Sequence, residues 1–158
     1  MKTVAWEAVD AEARSLVQLA AGATERSYAP YSGFRVGAAF QLVDGRTITG
    51  ANYESASYGL TCCAERVGLF RLQMEARVED IVAVAVTAQR GSPALPAPHA
   101  STPVTPCGAC RQLLYEASVR AKRDFLIICA APDFSIVTLG PVSAYLPAGF
   151  SGAAMGRD

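Results

Sequence analysis

Two short stretches decide the fold and the chemistry of this chain: Thr61-Cys62-Cys63-Ala64-Glu65-Arg66 and Pro106-Cys107-Gly108-Ala109-Cys110-Arg111-Gln112. Both stand where a helical pattern begins. The first turn of a helix has unpaired N–H groups and carries the positive end of the helix dipole, and both features favour a thiolate over a thiol. Because the thiolate is the form that binds metal, two helix starts that point at one place predict a pocket lined by thiols.

The spacing of the cysteines predicts which thiols take part. Cys107 and Cys110 are three residues apart at a helix start, so both thiols can lie on one face. Cys63 stands at the other helix start and supplies a third thiol. A catalytic zinc typically takes three protein ligands and leaves the fourth position open, which makes these thiols a candidate zinc site. The neighbouring Cys62 points away from Cys63 and is interpreted as a packed residue.

Charged residues beside the thiols suggest how such a site would work. Glu65 follows Cys63 by two residues, and positions i and i+2 of a helix do not share a face. The spacing therefore suits a carboxylate that acts on water at the metal rather than a fourth ligand. Three thiolates and Zn²⁺ leave one net negative charge. Arg66 and Arg111 are the candidates for offsetting this charge, by donating hydrogen bonds to sulfur.

Other functions use parts of the same pattern. A lone C-x-x-C suits a redox dithiol, a structural metal clip or chance about equally. C-A-E at one helix start with P-C-x-x-C at another favours a zinc deaminase, a class with a Cys₃ or His/Cys/Cys zinc and a separate glutamate. A polynucleotide deaminase is disfavoured by a net charge of zero. A structural zinc domain is disfavoured by Glu65 and by the lack of an obvious fourth ligand. A dithiol oxidoreductase built on Cys107 and Cys110 stays open.

Composition limits the class of protein. The 158 residues include 14 basic and 14 acidic side chains, and 51% of the residues are hydrophobic. No block of like charge indicates a nucleic-acid or membrane-surface partner, and no apolar run approaches the length of a membrane span. The sequence predicts one domain, 1–158, of a cytoplasmic protein with a subunit interface. The odd number of cysteines, 5, favours metal binding or catalysis over a disulfide framework.

Hydrophobic periodicity predicts alternating helices and strands. The predicted helices lie at about 6–27, 61–77 and 107–120, with a short helix at 141–146, and the predicted strands lie at 34–43, 46–51, 81–86, 125–130 and 135–139. Asp44-Gly45 predicts a hairpin turn between the first two strands. A proline-rich loop at 88–105 exceeds the usual length of a connection, and such loops are usually functional or mobile. A small, glycine-rich C-terminal tail spans 147–158.

The order of these elements predicts an α/β fold. The strands at 81–86 and 125–130 are separated by a helix, which predicts a right-handed parallel crossover. The predicted architecture has three layers, α/β/α, around a mixed five-stranded sheet.

The chain resembles the small, homotetrameric cytidine deaminases that hold zinc with three cysteines. The resemblance covers residues from about 28 to 150. It rests on Pro30-Tyr31-Ser32-Gly33-Phe34-Arg35-Val36-Gly37-Ala38-Ala39, Gly50-Ala51-Asn52-Tyr53-Glu54-Ser55-Ala56-Ser57-Tyr58, Cys63-Ala64-Glu65-Arg66 and Pro106-Cys107-Gly108-Ala109-Cys110-Arg111-Gln112. It implies a cytidine deaminase-like fold, one Zn²⁺ per chain held by Cys63, Cys107 and Cys110, and Glu65 as the residue that moves protons. It also implies a homotetramer with shared active sites.

The resemblance further implies a set of nucleoside-binding residues: Phe34, Asn52, Glu54, Tyr58, Ala64 and Phe150. By this resemblance, the amide of Asn52 and the carboxylate of Glu54 would bind the ribose hydroxyls. By this resemblance, Phe34 would line the base pocket, and Tyr58 would lie at the nucleoside site near a subunit boundary. The alanine backbone contacts the pyrimidine. Leu146-Pro147-Ala148-Gly149-Phe150 is similar to the C-terminal segment of the family, whose phenylalanine stacks on the base in a neighbouring subunit.

The predicted function is zinc-dependent hydrolytic deamination of free cytidine or deoxycytidine to uridine or deoxyuridine, with release of ammonia. No nucleic acid or membrane partner is predicted. Two features depart from the family pattern: Ser55 replaces the second Asn of N-x-E-N, and the loop at 88–105 is long. Both lie near the expected pocket. The alternative is therefore deamination of an N4-modified cytidine or of an analogue such as blasticidin S.

Three further residues have plainer interpretations. Cys129 lies in the middle of a predicted strand and belongs to the core. His99, the single histidine, stands among prolines and is interpreted as a surface-loop residue. Tyr145 suits interface packing as well as function.

Overall fold

A mixed sheet with helices on both faces forms the centre of the molecule. The computed structural model describes residues 1–89 and 101–155, and the predicted His99 position lies outside them. In this part of the chain the helices are α1 (Ala11–Ala23), α2 (Ala64–Glu75), α3 (Gly108–Ala121) and α4 (Val142–Tyr145). The strands are β1 (Lys2–Ala5), β2 (Val36–Leu42), β3 (Thr47–Ala51), β4 (Ile81–Ala88), β5 (Leu126–Ala130) and β6 (Ile136–Pro141). No helix in the described ranges is long and apolar enough to cross a membrane.

The strands run in the order β1-β6-β5-β4-β2-β3. Only β4 and β5 are parallel neighbours, with Ala85 opposite Ile128, and the remaining pairs of this sheet are antiparallel. The predicted parallel pairing is confirmed. Since α3 connects these two strands, its first turn begins on the side where β4 ends. This connection brings the segment around Cys107 to the carboxyl end of β4.

The predicted number of strands was wrong, because the sheet has six strands rather than five. The additional strand is β1, which pairs with β6 and places Thr3 opposite Thr138. It has only 4 residues, and its residues are mostly exposed. A short edge strand of this kind has no alternation of apolar and polar residues, so hydrophobic periodicity cannot detect it.

The first helix is shorter than the predicted span of 6–27. It begins at Ala11, because the Asp10 side chain accepts a hydrogen bond of 2.8 Å from the Ala13 N–H and caps the helix. Short 3₁₀ turns flank it at Trp6–Ala8 and Thr24–Arg26. Asp44-Gly45 forms the predicted turn between β2 and β3, with Gly45 at a φ of +83°.

Two hydrophobic clusters fill the space between the layers. α1 covers one face of the sheet, and α2 and α3 cover the other. The first cluster includes Leu16, Val17, Ala20, Ala39, Ala85 and Ile128. The second includes Phe40, Leu69, Leu72, Val84, Leu114 and Ile127. The three-layer α/β/α prediction is therefore confirmed.

α2 lies unusually close to the sheet because glycines stand on both sides of the contact. A Cβ atom at Gly50 of β3 would overlap the backbone of Gly68 and the carbonyl oxygen of Ala64 in α2. A Cβ atom at Gly68 would overlap the ring of Phe40. The backbone of α2 thus rests directly on β3, and this contact sets the position of the first turn of α2.

Gly50→Ala is expected to lower the free energy of unfolding by about 1–3 kcal/mol, because the new methyl group overlaps backbone that moves only if α2 is displaced. Urea unfolding measures this change. Gly22→Ala in α1 is the matched control, since a Cβ atom there meets nothing within 4 Å. The control is expected to be neutral or stabilising by up to about 1 kcal/mol. Equal stability of Gly50→Ala and the wild type would contradict the close approach.

Candidate active site

Three thiols converge where two helices begin. Cys63 is the residue immediately before α2, Cys107 is the residue immediately before α3, and Cys110 lies in the first turn of α3. The Sγ atoms of Cys63 and Cys107 are 3.8 Å apart, and all three Sγ atoms lie within 4.8 Å of one another. Cys110 is buried, Cys63 is half-buried and Cys107 is exposed. The cluster therefore faces solvent on one side only.

Hydrogen bonds join the three thiols and shift the pKa values of Cys63 and Cys110. The hydrogen bond from Cys110 lowers the pKa of Cys63 to about 6, with further contributions from Cys107 and from the charge of Arg66 against the effect of burial. The hydrogen bond to Cys63 and burial raise the pKa of Cys110. The protein alone thus favours a thiolate at Cys63 that accepts a hydrogen bond from the protonated thiol of Cys110. Binding of a metal would release the remaining thiol protons.

The dimensions of the cluster fit a tetrahedral metal. Zinc binds thiolate at about 2.3 Å, so two sulfurs on a tetrahedral zinc are about 3.8 Å apart. The distance between Cys63 Sγ and Cys107 Sγ equals this value. Within residues 1–89 and 101–155, no other group of three His, Cys, Asp or Glu side chains is close enough to hold a metal. Soft thiolate ligands favour zinc over magnesium or calcium.

Cys62 does not join the cluster, although it precedes Cys63 directly. Its backbone N–H donates to the carbonyl oxygen of Tyr53 at 2.9 Å, and the Tyr53 N–H donates back to the Cys62 carbonyl oxygen at 2.9 Å. Burial raises the pKa of the Cys62 thiol, which keeps it protonated. This backbone bridge ties the segment at Tyr53 to the start of α2.

Glu65 is a buried carboxyl group beside the thiols. It is the second residue of α2, and only 5% of its surface is exposed. Burial raises its pKa, the neighbouring Cys63 adds to this effect, and a hydrogen bond from the Cys110 thiol opposes it. A carboxylate with a raised pKa is a stronger base than one in water. Glu65 thus has the chemical character of a group that accepts and returns a proton.

The two candidate arginines have different surroundings. The charge of Arg66, and a hydrogen bond from it, lower the pKa of Cys63. Its Nη2 donates to the carbonyl oxygen of Thr61, and its Nε is buried with no hydrogen-bond partner among the described residues. Arg111 instead donates from Nε to the Pro106 carbonyl oxygen at 2.7 Å and from Nη1 to the Tyr145 carbonyl oxygen at 3.5 Å. Arg111 therefore holds the loop before α3 in place.

A cavity of about 300 Å³ lies next to this region. It is lined by Tyr31, Ser32, Glu54, Tyr58 and Thr61. The carbonyl oxygen of Thr61 accepts the hydrogen bond from Arg66. This hydrogen bond connects the cavity wall to the thiol cluster. Sequence reasoning predicted Glu54 and Tyr58 here and missed the other three residues. The hydroxyl groups beside the glycine turn of Pro30-Tyr31-Ser32-Gly33 were the available signal.

Asn52 is held by three hydrogen bonds inside the protein. Its Oδ1 accepts from Ser27 Oγ at 2.6 Å and from the Val36 N–H at 2.8 Å, and its Nδ2 donates to the Phe34 carbonyl oxygen at 2.8 Å. The residue is 8% exposed. Both acceptor positions are occupied, so one amide N–H is left for a ligand. Asn52 fixes the segment that leads into β2.

The aromatic residues predicted to bind a nucleoside are not all in one place. Tyr58 lines the cavity and is 75% exposed. Phe34 packs at the edge of the hydrophobic core and does not line the cavity. Phe150 is 57% exposed and lies outside the cavity lining, where its carbonyl oxygen accepts a hydrogen bond of 2.7 Å from Gln112 Nε2. The structure brings Tyr58 and Glu54 together and leaves Phe150 on the surface of α3.

Burial confirms the core position predicted for Cys129, whereas the interface packing suggested for Tyr145 was wrong, because this side chain lies in the core of the subunit. Cys129 is completely buried in β5, and burial raises its pKa to about 12. Tyr145 is 3% exposed, and its hydroxyl donates to the Thr138 carbonyl oxygen at 3.2 Å. Tyr145 therefore packs inside the subunit.

Known proteins share both the sequence pattern and this fold. Residues 10–123 match the family described as the cytidine and deoxycytidylate deaminase zinc-binding region. A cytidine deaminase of Halalkalibacterium halodurans is 50% identical over 101 residues, which cover 64% of this chain and 68% of the relative. A probable cytidine deaminase of Dictyostelium discoideum is 34% identical over 126 residues, which cover 78% of this chain and 74% of the relative.

The solved structure of cytidine deaminase from Burkholderia pseudomallei superposes with a TM-score of 0.73 at 35% identity, and the match covers 87% of this chain and 98% of that one. The fold and the three-thiol cluster thus define a zinc-binding deaminase domain. The chain belongs to the cytidine and deoxycytidylate deaminase family.

The purified protein is expected to contain about one zinc per chain, and Cys107→Ala is expected to lose most of it, because three thiolates are needed to complete the protein's share of a tetrahedral site. Metal analysis by mass spectrometry measures the content. Cys62→Ala is the matched control, since it removes an adjacent thiol outside the cluster. Loss of zinc in the control, or its retention in Cys107→Ala, would contradict the assignment.

Proposed function

We propose that this protein catalyses the hydrolytic deamination of free cytidine and deoxycytidine to uridine and deoxyuridine, with release of ammonia. The observation that carries this proposal is the buried carboxyl group of Glu65 beside three convergent thiols, in a chain of the deaminase family. A structural zinc site would need a fourth protein ligand instead. A redox dithiol would not need the third thiol or the carboxylate.

The proposed zinc ligands are Cys63, Cys107 and Cys110. Zinc bound there supplies the Lewis acidity that lets water act as a nucleophile near neutral pH. The chain's own contribution is proton transfer by Glu65. Its carboxylate takes a proton from the attacking water and delivers it to N3 of the pyrimidine, which makes C4 more electrophilic. The second water proton goes through the same carboxyl group to the departing amine, so water and cytidine give uridine and ammonia.

The first turn of α2 also suits the pyrimidine itself. Ala64 is the first residue of α2, so its N–H has no acceptor within the helix and is free to bind the base. The remaining amide N–H of Asn52 and the carboxylate of Glu54 are proposed to bind the ribose hydroxyls. Phe34 is proposed to line the base pocket.

A homotetramer with shared active sites is proposed for the assembled protein. Tyr58 and Phe150 are highly exposed, as expected for aromatic residues that complete a site in a neighbouring subunit. α2 also exposes Phe70 and Met74, which are 55% and 86% exposed. Exposed apolar side chains on one element indicate an interface.

Unpaired cysteines suit a reducing compartment, so a cytoplasmic location is proposed. The proposed layout of the chain is one deaminase domain over 1–158, with a loop at 88–105 and a tail at 147–158.

The local structure at Ser55 supports a second candidate substrate class. The Ser55 N–H donates to Thr61 Oγ1 at 3.2 Å, and the Ser57 N–H donates to Ser55 Oγ at 3.1 Å. The hydroxyl of Ser55 therefore stabilises its own loop beside the cavity. The family's asparagine at this position has a larger side chain, so a bulkier N4-modified cytidine or a blasticidin-like analogue is the alternative substrate.

A nucleoside panel tests the proposed function. Cytidine and deoxycytidine are expected to release ammonia, whereas adenosine is not, because the proposed protonation and attack take place at N3 and C4 of a pyrimidine. N4-substituted cytidines and blasticidin S test the alternative. Ultraviolet absorbance follows the reaction. Turnover of the analogues without turnover of cytidine would establish the alternative, and no turnover of any compound would refute both.

Glu65→Gln is expected to retain zinc and the fold but to lose about 10²–10⁴-fold in turnover, because the amide cannot accept the proton. Glu75→Gln at the other end of α2 is the matched control, since its carboxylate pairs with Arg71 on the surface. Steady-state kinetics together with zinc content distinguish loss of chemistry from loss of metal. Near-normal turnover of Glu65→Gln would rule out the proposed proton path.

Arg66→Gln is expected to weaken zinc affinity and to lower turnover by about 10–100-fold, because the negative charge of the thiolates would no longer be offset. Arg71→Gln, on the exposed side of α2, is the matched control. Chelator competition measures the zinc affinity. Unchanged affinity and unchanged turnover of Arg66→Gln would refute this role.

A further inference from the structure

We infer that Ser32 is a positioning residue that orients the Glu54 carboxylate and leaves one acceptor position open toward the cavity for a sugar hydroxyl. This inference rests on the proposed function and names the group that makes the enzyme recognise the sugar. Neither the thiol cluster nor Glu65 takes part in it.

The hydrogen bonds around Glu54 determine how its carboxylate points. Oε2 accepts from the Tyr31 N–H at 2.9 Å and from the Ser32 N–H at 3.2 Å. Oε1 accepts a hydrogen bond from Ser32 Oγ. A carboxylate has about four acceptor positions, so these three hydrogen bonds leave one position, on Oε1. Since Glu54 and Ser32 both line the cavity of about 300 Å³, this position is available to a ligand there.

The proton of the Ser32 hydroxyl has a defined direction. The Phe34 N–H donates to Ser32 Oγ at 2.9 Å, and an N–H group can only donate. The single hydroxyl proton of Ser32 is therefore free for Glu54. Gly33, with a φ of +68°, forms the turn that brings both the hydroxyl and the two N–H groups to the carboxylate.

The charge state of Glu54 selects the kind of ligand. The hydrogen bond from the Ser32 hydroxyl lowers the pKa of Glu54, and the two backbone N–H groups add to this effect against partial desolvation. An ionised carboxylate accepts hydrogen bonds but cannot donate them. The open position on Oε1 therefore binds a neutral donor such as a sugar hydroxyl and repels an anion such as a phosphate at the same place.

The inference is tested by comparing two substrates that differ only in the sugar. Ser32→Ala is expected to lower kcat/KM for cytidine by about 10-fold or more, mostly through a higher KM, because the carboxylate loses its orientation toward the hydroxyl. For 2′,3′-dideoxycytidine, which lacks the 2′ and 3′ hydroxyls and keeps only the 5′ hydroxyl, the same substitution is expected to change kcat/KM by less than about 3-fold. A general structural defect would lower both values equally.

Two further variants complete the experiment. Ser32→Thr retains a hydroxyl and is expected to restore the preference for cytidine. Ser135→Ala is the matched control, because the Ser135 hydroxyl also donates to a carboxylate, Asp133 Oδ1 at 2.6 Å, on an exposed turn. An equal loss on both substrates, no loss on cytidine, or failure of Ser32→Thr to restore the preference would each overturn the inference while the wild type remained active. A wild type inactive on both nucleosides would overturn the proposed function itself, and this inference with it.

Discussion

The structure depends on the convergence of two helix starts. Thiols at the starts of α2 and α3, two of them on the residues just before the helices, lie within 4.8 Å of one another, although they come from distant parts of the sequence. The unpaired N–H groups and the dipoles of both helices stabilise negative charge at that place. The glycine contact between β3 and α2 sets one helix start, and the parallel β4–α3–β5 connection sets the other. The scaffold is thus arranged so that three thiols lie close enough together to hold a metal ion.

The groups around the thiols divide the remaining tasks between them. Arg66 faces the thiolate of Cys63, whereas Arg111 braces the loop ahead of Cys107 through carbonyl oxygens. Glu65 is buried beside the thiols without being one of the metal ligands. The Tyr53–Cys62 backbone bridge ties the segment that carries Glu54 to the start of α2. The residues proposed for metal binding, proton transfer and sugar recognition therefore lie on adjacent, hydrogen-bonded segments of the chain.

Local signals in the sequence were sufficient for much of this site. Cys107 and Cys110 are spaced for one helix face, and Cys63 precedes a helical pattern, so the thiol set was predictable without the fold. The parallel crossover followed from a helix between two apolar strands. The edge strand β1 was not predictable, because a short exposed segment that pairs only along one side leaves no hydrophobic pattern. Arg66 and Arg111 were indistinguishable in the sequence, since only the folded chain shows which carbonyl oxygens each guanidinium reaches.

The surroundings of Asn52 and Glu54 show why contacts of polar residues escape sequence reasoning. Their hydrogen bonds join positions 16 to 25 residues apart, and no periodicity reports such a pairing. Ser32 lies in the segment 30–39 on which the family resemblance rests. Its proposed role depends on the direction of its hydroxyl group, which only the turn at Gly33 sets. Interactions of this kind become visible when the backbone of residues 27–36 is placed against β3.

X-ray absorption at the zinc K-edge of the purified protein tests the central claim most directly. A catalytic site built on Cys63, Cys107 and Cys110 predicts three sulfur atoms at about 2.3 Å and one oxygen or nitrogen atom at about 2.0 Å. Four sulfur atoms around the zinc would mean that a fourth cysteine closes the site and that it is structural. Fewer than three would mean that the convergent thiols are not the metal ligands.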